Sequence, residues 1–363
     1  MPLPNTCRLL TRKTALEDMR VEEQPPPAPP AEGEALLAPE LFSLTTNNVT
    51  YAAYGEAMRY WDFFPSGDED WGLVPVWGFA TVIGSRVEGV EVGERFYGYW
   101  PPATVLRVQP DKIGAHGFRD ATAHRQALPA VYNQYFRCTQ DPLYTPETEA
   151  FQALYRPLYM TAFTLADFIA DHEGFGAQRV VLSSASSKTA YGTAFCIGNA
   201  FETVGLTSQR NAEFVAGSGC YHRTVTYDAL RDLAPDTPTL YVDLSGNRDL
   251  RAEVHGHFQA LRYSCVVGSA QTTELPGQQD LPGPPPTFFF APDQIAKRMA
   301  EWGAEAFGQR LGSAWARFHA HVSDPQHDLL QVKTGEGLEA ARAIFAQLLA
   351  GEVAPREGHV IQL

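Results

Sequence analysis

The sequence predicts an α/β protein in two parts, a β-rich N-terminal part and a parallel sheet covered by helices on both faces. Between residues 34 and 110, short apolar alternations are broken by Gly and Pro, and this tight spacing favours a small barrel or sandwich. From about residue 155, strand-like runs alternate with helical patterns, which implies right-handed βαβ units. A closing strand over residues 358–363 completes the expected architecture.

The individual elements follow from hydrophobic periodicity. In the first part, alternating runs predict strands that include residues 34–44, 77–84 and 92–99. In the second part, short apolar runs predict strands at residues 179–182, 203–207, 224–227, 240–244 and 263–268, and a buried strand at 288–290. Helical spacing of apolar residues predicts helices over residues 158–170, 292–302, 308–320 and 337–349, and one that continues through residue 197.

Composition limits the functional classes. The chain has 363 residues, 44% of them hydrophobic, which is enough for packed cores and excludes global disorder. Its 42 acidic residues outnumber 28 Lys and Arg, giving a net charge of −14. Because this charge repels polyphosphate and no run of Lys or Arg offsets it, we expect no nucleic-acid partner.

The cysteines and the apolar segments indicate a cytoplasmic protein. The five cysteines are odd in number, widely spaced and without a CxxC pair, so neither a disulfide framework nor a four-cysteine zinc lobe is expected. The first 20 residues lack the apolar core of a signal peptide, and no run approaches the ~20 apolar residues of a membrane span. We therefore expect a cytoplasmic location without membrane attachment.

The segment after the strand at residues 179–182 is the most informative one. A loop of small polar residues connects this buried run to a helix, whose N-terminal N–H groups and dipole suit a phosphate. The expected donors are Ser184, Ser186, Ser187, Lys188 and Thr189. The alternative is an ordinary strand–helix turn with a serine cap, because the segment is neither GxGxxG nor a Walker A motif.

The next strand ends in Ser208-Gln209-Arg210-Asn211. In a dinucleotide fold this position meets the adenosine ribose, where an acid favours NAD and an Arg with Ser accommodates the 2′-phosphate of NADP. The acid is absent, so Ser208 and Arg210 predict NADP(H), unless they form only a solvated helix start.

Three further strand ends carry small or polar residues. Ligands of open parallel sheets lie at the C-terminal ends of the strands, so these positions fit the nicotinamide side of a crevice. They are Tyr227, Ser245, Gly246, Gly268 and Ser269.

Several motifs together resemble the medium-chain dehydrogenase/reductase superfamily, in particular its zinc-independent, quinone oxidoreductase-like branch. Residues 77–84 (WGFATVIG) and 89–98 (GVEVGERFYG) resemble the barrel signature, a strand followed by G-V-x-V-G-D-R-V-x-G. Residues 182–192 resemble the V-T-G-A-S-S-G-V-G loop, and residues 205–208 with Gly219-Cys220 resemble the second strand and the later L-G-A. Residues 339–363 resemble the last helix and strand, so the likeness covers nearly the whole chain. It is nearest to a little-studied set of quinone-reductase-like proteins of unassigned function.

The resemblance implies a GroES-like β-barrel domain over residues 1–130, completed by 325–363, and a Rossmann NADP-binding domain over 131–324. Where zinc-dependent members have Gly-His-Glu, this chain has Trp77-Gly78-Phe79, and the four-cysteine lobe is missing, so no metal is expected. Serines and Lys188 replace loop glycines of the family, which changes the pyrophosphate geometry but leaves hydrogen-bond donors. The Tyr-x-x-x-Lys pair of short-chain reductases does not occur.

Residues 47–54 lie where quinone and enoyl reductases of this family carry an Asn-containing active-site loop. The resemblance implies that Asn48 polarises or positions the substrate and that a tyrosine donates a proton. Tyr51 is the first candidate, followed by Tyr54 and Tyr60. The alternative for each tyrosine is a barrel or interface aromatic.

These expectations combine into an NADPH-dependent reductase. Hydride would pass, without zinc, to an apolar carbonyl, quinone or α,β-unsaturated carbonyl substrate bound in the cleft between the domains. Family members often pair through an edge of the Rossmann sheet, so the resemblance implies a homodimer, whereas the residues themselves leave the oligomeric state open. The rival interpretations are a non-catalytic NADPH-binding sensor or scaffold, and an enzyme for another phosphorylated ligand such as a coenzyme A ester.

Two His-x-His pairs, His255/His257 and His319/His321, are expected on the surface. Residues two apart on a helix point to different sides, so chelation is not expected.

Overall fold

A computed structural model describes residues 5–267 and 281–363. Within these ranges the chain forms two compact units. The first contains the residues up to Arg156 together with Gln331–Leu363, and the second contains Pro157–Leu330. None of the helices in the described part of the chain is long and apolar enough to cross a membrane.

The strands and helices are numbered in chain order. The strands are β1 (Thr6–Arg12), β2 (Ala15–Gln24), β3 (Ala35–Leu44), β4 (Trp71–Gly72), β5 (Val76–Ser85), β6 (Arg95–Trp100), β7 (Leu106–Val108), β8 (Pro110–Gly114), β9 (Gly117–Asp120), β10 (Gln134–Arg137), β11 (Arg179–Leu182), β12 (Glu202–Thr207), β13 (Arg223–Thr226), β14 (Thr239–Asp243), β15 (Leu261–Val267), β16 (Pro286–Phe289), β17 (Gln331–Glu336) and β18 (Glu357–Gln362). The α-helices are α1 (Thr46–Ala53), α2 (Glu149–Asp171), α3 (Lys188–Ile197), α4 (Ala212–Gly217), α5 (Arg248–His257), α6 (Ala291–Trp302), α7 (Ala304–Val322) and α8 (Gly337–Leu349).

The first unit is a GroES-like β-structure. Nine strands form one sheet in the order β17-β18-β3-β5-β6-β10-β9-β8, with β7 paired to β3, and β2-β1-β4 form a second sheet. The neighbours β3, β5 and β6 are antiparallel. Gly78 in β5 lies so close to β3 that a Cβ atom there would be 2.0 Å from the carbonyl oxygen of Leu41. Only glycine allows this approach of the two backbones.

The first unit continues past the boundary expected at residue 130. Strand β10 pairs with β6 and with β9, so residues 134–137 are part of the first unit's sheet. The second compact unit accordingly begins at Pro157 and ends at Leu330.

The second unit has the Rossmann topology. Its six strands are all parallel and run in the order β13-β12-β11-β14-β15-β16. In this order the first strand of the unit, β11, lies at the centre, and the chain leaves it first to one side and then to the other. Strands β11 and β14 are buried along their whole length, as expected for a sheet covered on both faces.

Helix α2 starts at Glu149, nine residues before the predicted start at residue 158, because it continues through Pro157. A proline has no N–H for the carbonyl four residues earlier, which here is that of Ala153. The hydroxyl of Ser43 donates to that carbonyl oxygen at 2.7 Å. The side chain therefore replaces the missing backbone donor.

Two expectations about burial are wrong. The three phenylalanines at residues 288–290 are only partly buried, because β16 is the last strand in the sheet order and Phe290 lies just after it. Phe290 is 38% exposed. His255 is 2% exposed and is not a surface residue. It lies on the inner side of α5, where one ring nitrogen is 2.9 Å from the carbonyl oxygen of Pro282 and the other is 2.9 Å from Ser264 Oγ.

Candidate functional site

The C-terminal ends of β11, β12, β13 and β14 lie along one edge of the second unit's sheet. The topological switch occurs between β11 and β14, which are adjacent although the chain forms two other strands between them. In open α/β sheets this position is where a ligand binds. The loops after these strands therefore form the candidate ligand site of the second unit.

The loop between β11 and α3 is fixed by backbone hydrogen bonds. Ser184 has a φ of +48°, the left-handed region that glycine favours. The N–H of Ala185 donates to the carbonyl oxygen of Leu206 at 3.2 Å, which ties the loop to β12. Ser187 is the N-cap of α3, and its hydroxyl accepts from the N–H of Ala190 at 3.3 Å. The predicted serine cap is present, and it places the N-terminus of α3 at the sheet edge.

The loop contacts the ends of two neighbouring strands. Asn211 donates its side-chain amide to Ser186 Oγ at 3.1 Å and its backbone N–H to the carbonyl oxygen of Ser208 at 3.0 Å. The N–H of Ser184 donates to the hydroxyl of Tyr227 at 3.2 Å. The structure thus brings Ser184, Ser186, Ser208 and Tyr227 together. Arg210 is exposed within the same turn as Ser208.

Lys188 and Thr189 form the first turn of α3 and are both half-buried. Burial lowers the pKa of Lys188 to about 8. Withdrawal from water disfavours the charged ammonium, and an anion beside it would restore the charged form. The donor set of this loop therefore fits a phosphate group.

Asp243, at the end of β14, is the residue of this edge that sequence reasoning missed. Its side chain is buried, and Oδ1 accepts from the N–H groups of Ser245 and Gly246, both at 3.0 Å. The same oxygen accepts from the hydroxyls of Ser183 and Ser245 at 3.2 and 2.8 Å. Arg251 of α5 pairs with Oδ2 at 2.7 Å. The sequence signal for Asp243 was an apolar strand that ends in an acidic residue, with Ser245-Gly246 shortly after it.

This network fixes Ser245 and Gly246 next to the end of β11. The N–H of Ser245 also donates to Ser183 Oγ at 3.2 Å, so the loops after β11 and β14 are joined across the switch point. The remaining two predicted cofactor contacts, Gly268 and Ser269, lie outside the described residues.

An aromatic cluster in the first unit contains the predicted tyrosines and is described by itself. Tyr51, on α1, is 5% exposed, and its hydroxyl accepts from Asn47 Nδ2 at 2.7 Å and from Trp77 Nε1 at 3.0 Å. Its ring centroid is 4.6 Å from that of Tyr60 and 5.5 Å from that of Tyr99. Burial raises the pKa of Tyr51 above its usual range, so the hydroxyl stays protonated. With two donors already bound, its proton is directed away from them and can be donated.

Asn48 has a structural part in this cluster. Its Oδ1 accepts from the N–H of Thr45 at 2.8 Å, which completes the capping box of α1. Its Nδ2 donates to the carbonyl oxygen of Pro75 at 2.9 Å, just before β5. Asn48 therefore positions the helix that carries Tyr51, relative to the strand that carries Trp77.

The other two predicted tyrosines differ. Tyr60 is buried beside Tyr51, and burial raises its pKa. Tyr54 is the C-cap of α1 and is 46% exposed, outside the cluster. Tyr54 follows the last residue of α1, and its backbone (φ −103°, ψ 18°) has left the helical conformation.

The sequence analysis did not single out Tyr97 and Tyr99. Both hydroxyls are buried without a hydrogen-bond partner among the described residues. Trp77 of β5 packs on both rings, with centroid distances of 5.7 Å and 4.9 Å. The Tyr-x-Tyr alternation of β6 was the signal, because it places both rings on one face of the strand.

Across residues 5–267 and 281–363, no group of three or more His, Cys, Asp and Glu side chains is arranged to hold a metal ion. The five cysteines are all free thiols.

The comparisons with known proteins identify a family and a fold. The sequence profile described as "Protein of unknown function (DUF2855)" matches residues 42–354. No curated protein matches the chain.

Solved structures match over essentially the whole length. CurA from Vibrio vulnificus in complex with NADPH has a TM-score of 0.64 at 14% identity, covering 98% of both chains. A putative NADPH:quinone reductase from Mesorhizobium loti has a TM-score of 0.60 at 14% identity, covering 100% of both. The yhdH oxidoreductase from Salmonella enterica in complex with NADP has a TM-score of 0.51 at 11% identity, covering 99% of both. The expected fold, a GroES-like domain with a Rossmann domain, is confirmed.

Proposed function

The chain belongs to the DUF2855 family of proteins of unknown function, and from its site we propose that it is an NADPH-dependent oxidoreductase. The proposed substrates are carbonyl, quinone or α,β-unsaturated carbonyl compounds of apolar character, reduced without zinc. This proposal rests mainly on one observation: the loops after β11, β12, β13 and β14 meet at the switch point of a Rossmann sheet. The NADPH and NADP bound in two structures of similar fold support the choice of cofactor.

The loop residues have separate tasks in this proposal. The first turn of α3, with Ser184, Ser186 and Lys188, would hold the pyrophosphate, because a helix N-terminus and a partly buried ammonium both stabilise negative charge. Ser208 and Arg210 would hold the 2′-phosphate that distinguishes NADPH from NADH. Ser245 and Gly246, fixed by Asp243, would line the crevice beside the pyrophosphate.

The reduced nicotinamide would supply a hydride when bound. Tyr51 would donate a hydrogen bond to the oxygen of the substrate carbonyl, where negative charge develops during reduction. Its hydroxyl suits this task because Asn47 and Trp77 donate to the oxygen and leave the proton available. Gly268 and Ser269, which follow β15, remain proposed cofactor contacts.

Thermal unfolding with NADPH, NADH and NADP⁺ tests the cofactor. A ligand at one hundred times its Kd stabilises the native state by about 2.7 kcal/mol. We expect NADPH to raise Tm more than NADH does, and Arg210→Ala to reduce the NADPH shift towards the NADH value. Arg231→Ala is the matched control, because Arg231 is an exposed arginine of the same unit. If no nicotinamide shifts Tm, the proposal fails.

Turnover tests the role of Tyr51. With NADPH and a panel of quinones and enones, Tyr51→Phe should lower kcat/KM by about 100-fold, the usual effect of removing one donor to a developing oxyanion. Tyr54→Phe is the matched control, because Tyr54 lies on the same helix segment but outside the cluster. Equal activity of the two variants would exclude Tyr51 from catalysis.

Burial of the aromatic cluster favours one second candidate, a non-catalytic NADPH-binding protein. Tyr51 and Tyr60 are each 5% exposed and are packed by other rings. An NADPH-dependent rise in Tm without NADPH consumption on any substrate of the panel would support this function over the reductase.

A homodimer is also part of the proposal. Strand β16 is an edge strand of the second unit's sheet, and Phe290 after it is exposed. Sedimentation equilibrium of the chain and of Phe290→Glu tests pairing at this edge.

A further inference from the structure

The second unit contains a groove on its helical surface, away from the strand ends. It has a volume of about 600 Å³, within the range of small-molecule sites, and helices α2, α3, α6 and α7 line it. Phe195 and Cys196 line it from the end of α3 opposite to Lys188. Seven residues of helix, about 10 Å, separate Lys188 from Phe195. The groove is therefore distinct from the proposed cofactor loop.

The walls of the groove are mainly aromatic. Tyr159 and Phe163 of α2, Phe195 of α3 and Trp302 of α6 contribute rings. Of these, Phe163, Phe195 and Trp302 keep part of their surface accessible. Small residues of α2 and α7, such as Ala166 and Ala314, leave room between the rings. An apolar body can therefore replace water against these walls.

Two cations of α7 lie along one side of the groove. Arg310 and Arg317 are seven residues apart, which places them on the same helix face at a separation of about 10.5 Å. The Arg310 guanidinium lies 4.0 Å from the ring centroid of Trp302, and Arg317 donates only to the carbonyl oxygen of Ser313 in its own helix. Neither arginine forms an ion pair with a described residue, although the chain has 42 acidic residues.

The one carboxylate in the lining does not balance these charges. Asp167 accepts from Arg298 Nε at 2.6 Å and from Gln294 Nε2 at 2.5 Å. Its charge is thus compensated by α6, and Arg310 and Arg317 remain available for an anion from outside.

Tyr159 adds a neutral donor to the floor. It is buried, and its hydroxyl oxygen accepts from the thiol of Cys196 at 3.4 Å. No described residue accepts its proton. A hydroxyl proton without an acceptor among the described residues, in the same groove as two guanidinium groups that form no ion pair there, is suited to an anionic oxygen.

We propose that this groove binds an elongated anionic amphiphile, a medium-chain carboxylate whose hydrocarbon chain lies on Phe163, Phe195 and Trp302. Its carboxylate pairs with Arg310 or Arg317. The proposal is independent of nicotinamide binding, because it uses none of the strand-end residues.

Calorimetric titration of the full-length chain with dodecanoate, below its micelle concentration, tests the proposal. Dodecyltrimethylammonium, which has the same chain and the opposite charge, is the comparison ligand. We expect dodecanoate to bind at least tenfold more tightly. Absence of dodecanoate binding, or equal binding of the two, would overturn the proposal.

Variants at exposed positions locate the site without disturbing the core. Arg310→Gln and Arg317→Gln should together raise the Kd of dodecanoate by about tenfold or more, because each removes a charge-assisted contact. Ser313→Trp, which fills the groove from an exposed position of α7, should abolish binding. Arg231→Gln is the matched control and should leave Kd unchanged.

Unchanged binding in the double arginine variant, or in Ser313→Trp, would place the ligand elsewhere and refute the proposal. Sedimentation velocity distinguishes a second copy of the chain as the occupant. If the unliganded chain is a dimer that Ser313→Trp converts to a monomer, the groove is an interface and the small-molecule proposal is wrong.

Discussion

Ser43 supplies the hydrogen-bond donor that Pro157 lacks inside helix α2. The carbonyl of Ala153 would have no partner in the helix, and the buried Ser43 hydroxyl donates to it at 2.7 Å. An unsatisfied buried carbonyl costs about 1–3 kcal/mol. One serine of β3 thus allows a helix to pass through a proline.

Ser43→Ala should lower the free energy of unfolding by about 1–2 kcal/mol, because it leaves the Ala153 carbonyl unpaired. Chemical denaturation measures this change. In a Pro157→Ala background the backbone N–H returns, so the same substitution should cost less. Equal costs in both backgrounds would show that the Ser43 bond does not compensate for the proline.

Ser184 has a left-handed backbone, with a φ of +48°, in the loop between β11 and α3. This conformation costs a non-glycine residue about 1 kcal/mol. Ser184→Gly should therefore raise Tm, Ser184→Ala should leave it nearly unchanged, and the β-branched Ser184→Val should lower it. A lower Tm for the glycine variant would contradict strain at this position.

At the scale of elements, buried polar pairs fix the ends of strands and helices. Asp243 joins the loops after β11 and β14 to helix α5 through Arg251. On the same helix His255 joins β15 to the segment before β16. The carbonyl of Pro282 can only accept, so the neutral ring donates from Nδ1, and Nε2 accepts from Ser264.

Burial lowers the pKa of His255 below its ordinary value of 6.5. As pH falls below about 6.5, the unfolded chain takes up a proton that the folded chain resists, so the free energy of unfolding decreases. The stabilisation is complete above that pH and is lost as pH falls through the pKa of the folded state. We expect a steeper loss of stability between pH 7 and 5 in the wild type than in His255→Asn.

Denaturation at several pH values measures that difference. His319 and His321 also have pKa values lowered by burial, so both proteins should retain part of the pH dependence. Only the difference between the two curves of unfolding free energy against pH measures the contribution of His255. Identical curves would contradict the predicted contribution.

At the scale of the whole molecule, the first unit carries Trp77-Gly78-Phe79 in β5, the segment for which the sequence resemblance implies no metal ligand. Trp77 and Phe79 contribute rings, and Gly78 is needed for the close approach of β3. We therefore expect dialysis against a chelator to leave both Tm and NADPH-dependent turnover unchanged. A decrease in Tm or in turnover that added zinc reverses would contradict a metal-independent function.

Much of the fold could be predicted from the sequence, because periodicity depends on local burial. Strand β11 and helix α8 have the predicted bounds, and the other strands of the Rossmann sheet differ by one or two residues. The predicted helix at residues 158–170 is shorter than α2, because a proline such as Pro157 ordinarily ends a helix. The hydroxyl that replaces the missing N–H belongs to Ser43, in a strand far away in the sequence. The exposure of Phe290 depends on β16 being an edge strand.

The candidate site was predictable only in part. The predicted loop residues meet at one edge because parallel strands end together, and this follows from the sequence order of strands and helices. The separation of Tyr51 from Tyr54 could be predicted only from the bounds of helix α1. The hydroxyls of Tyr97 and Tyr99 have no partner in the described part of the chain, and this depends on the packing of β5 on β6.

The order of the elements, the strand-end loops and the lack of an acid beside Arg210 follow from local patterns, because each is a property of neighbouring residues. Tertiary contacts decide which polar groups find partners. The buried ring of His255 bonds to Pro282 and Ser264, whereas among the described residues the proton of Tyr51 has no acceptor and the arginines of α7 form no ion pair. Those depend on contacts between segments far apart in the chain, which no local pattern encodes.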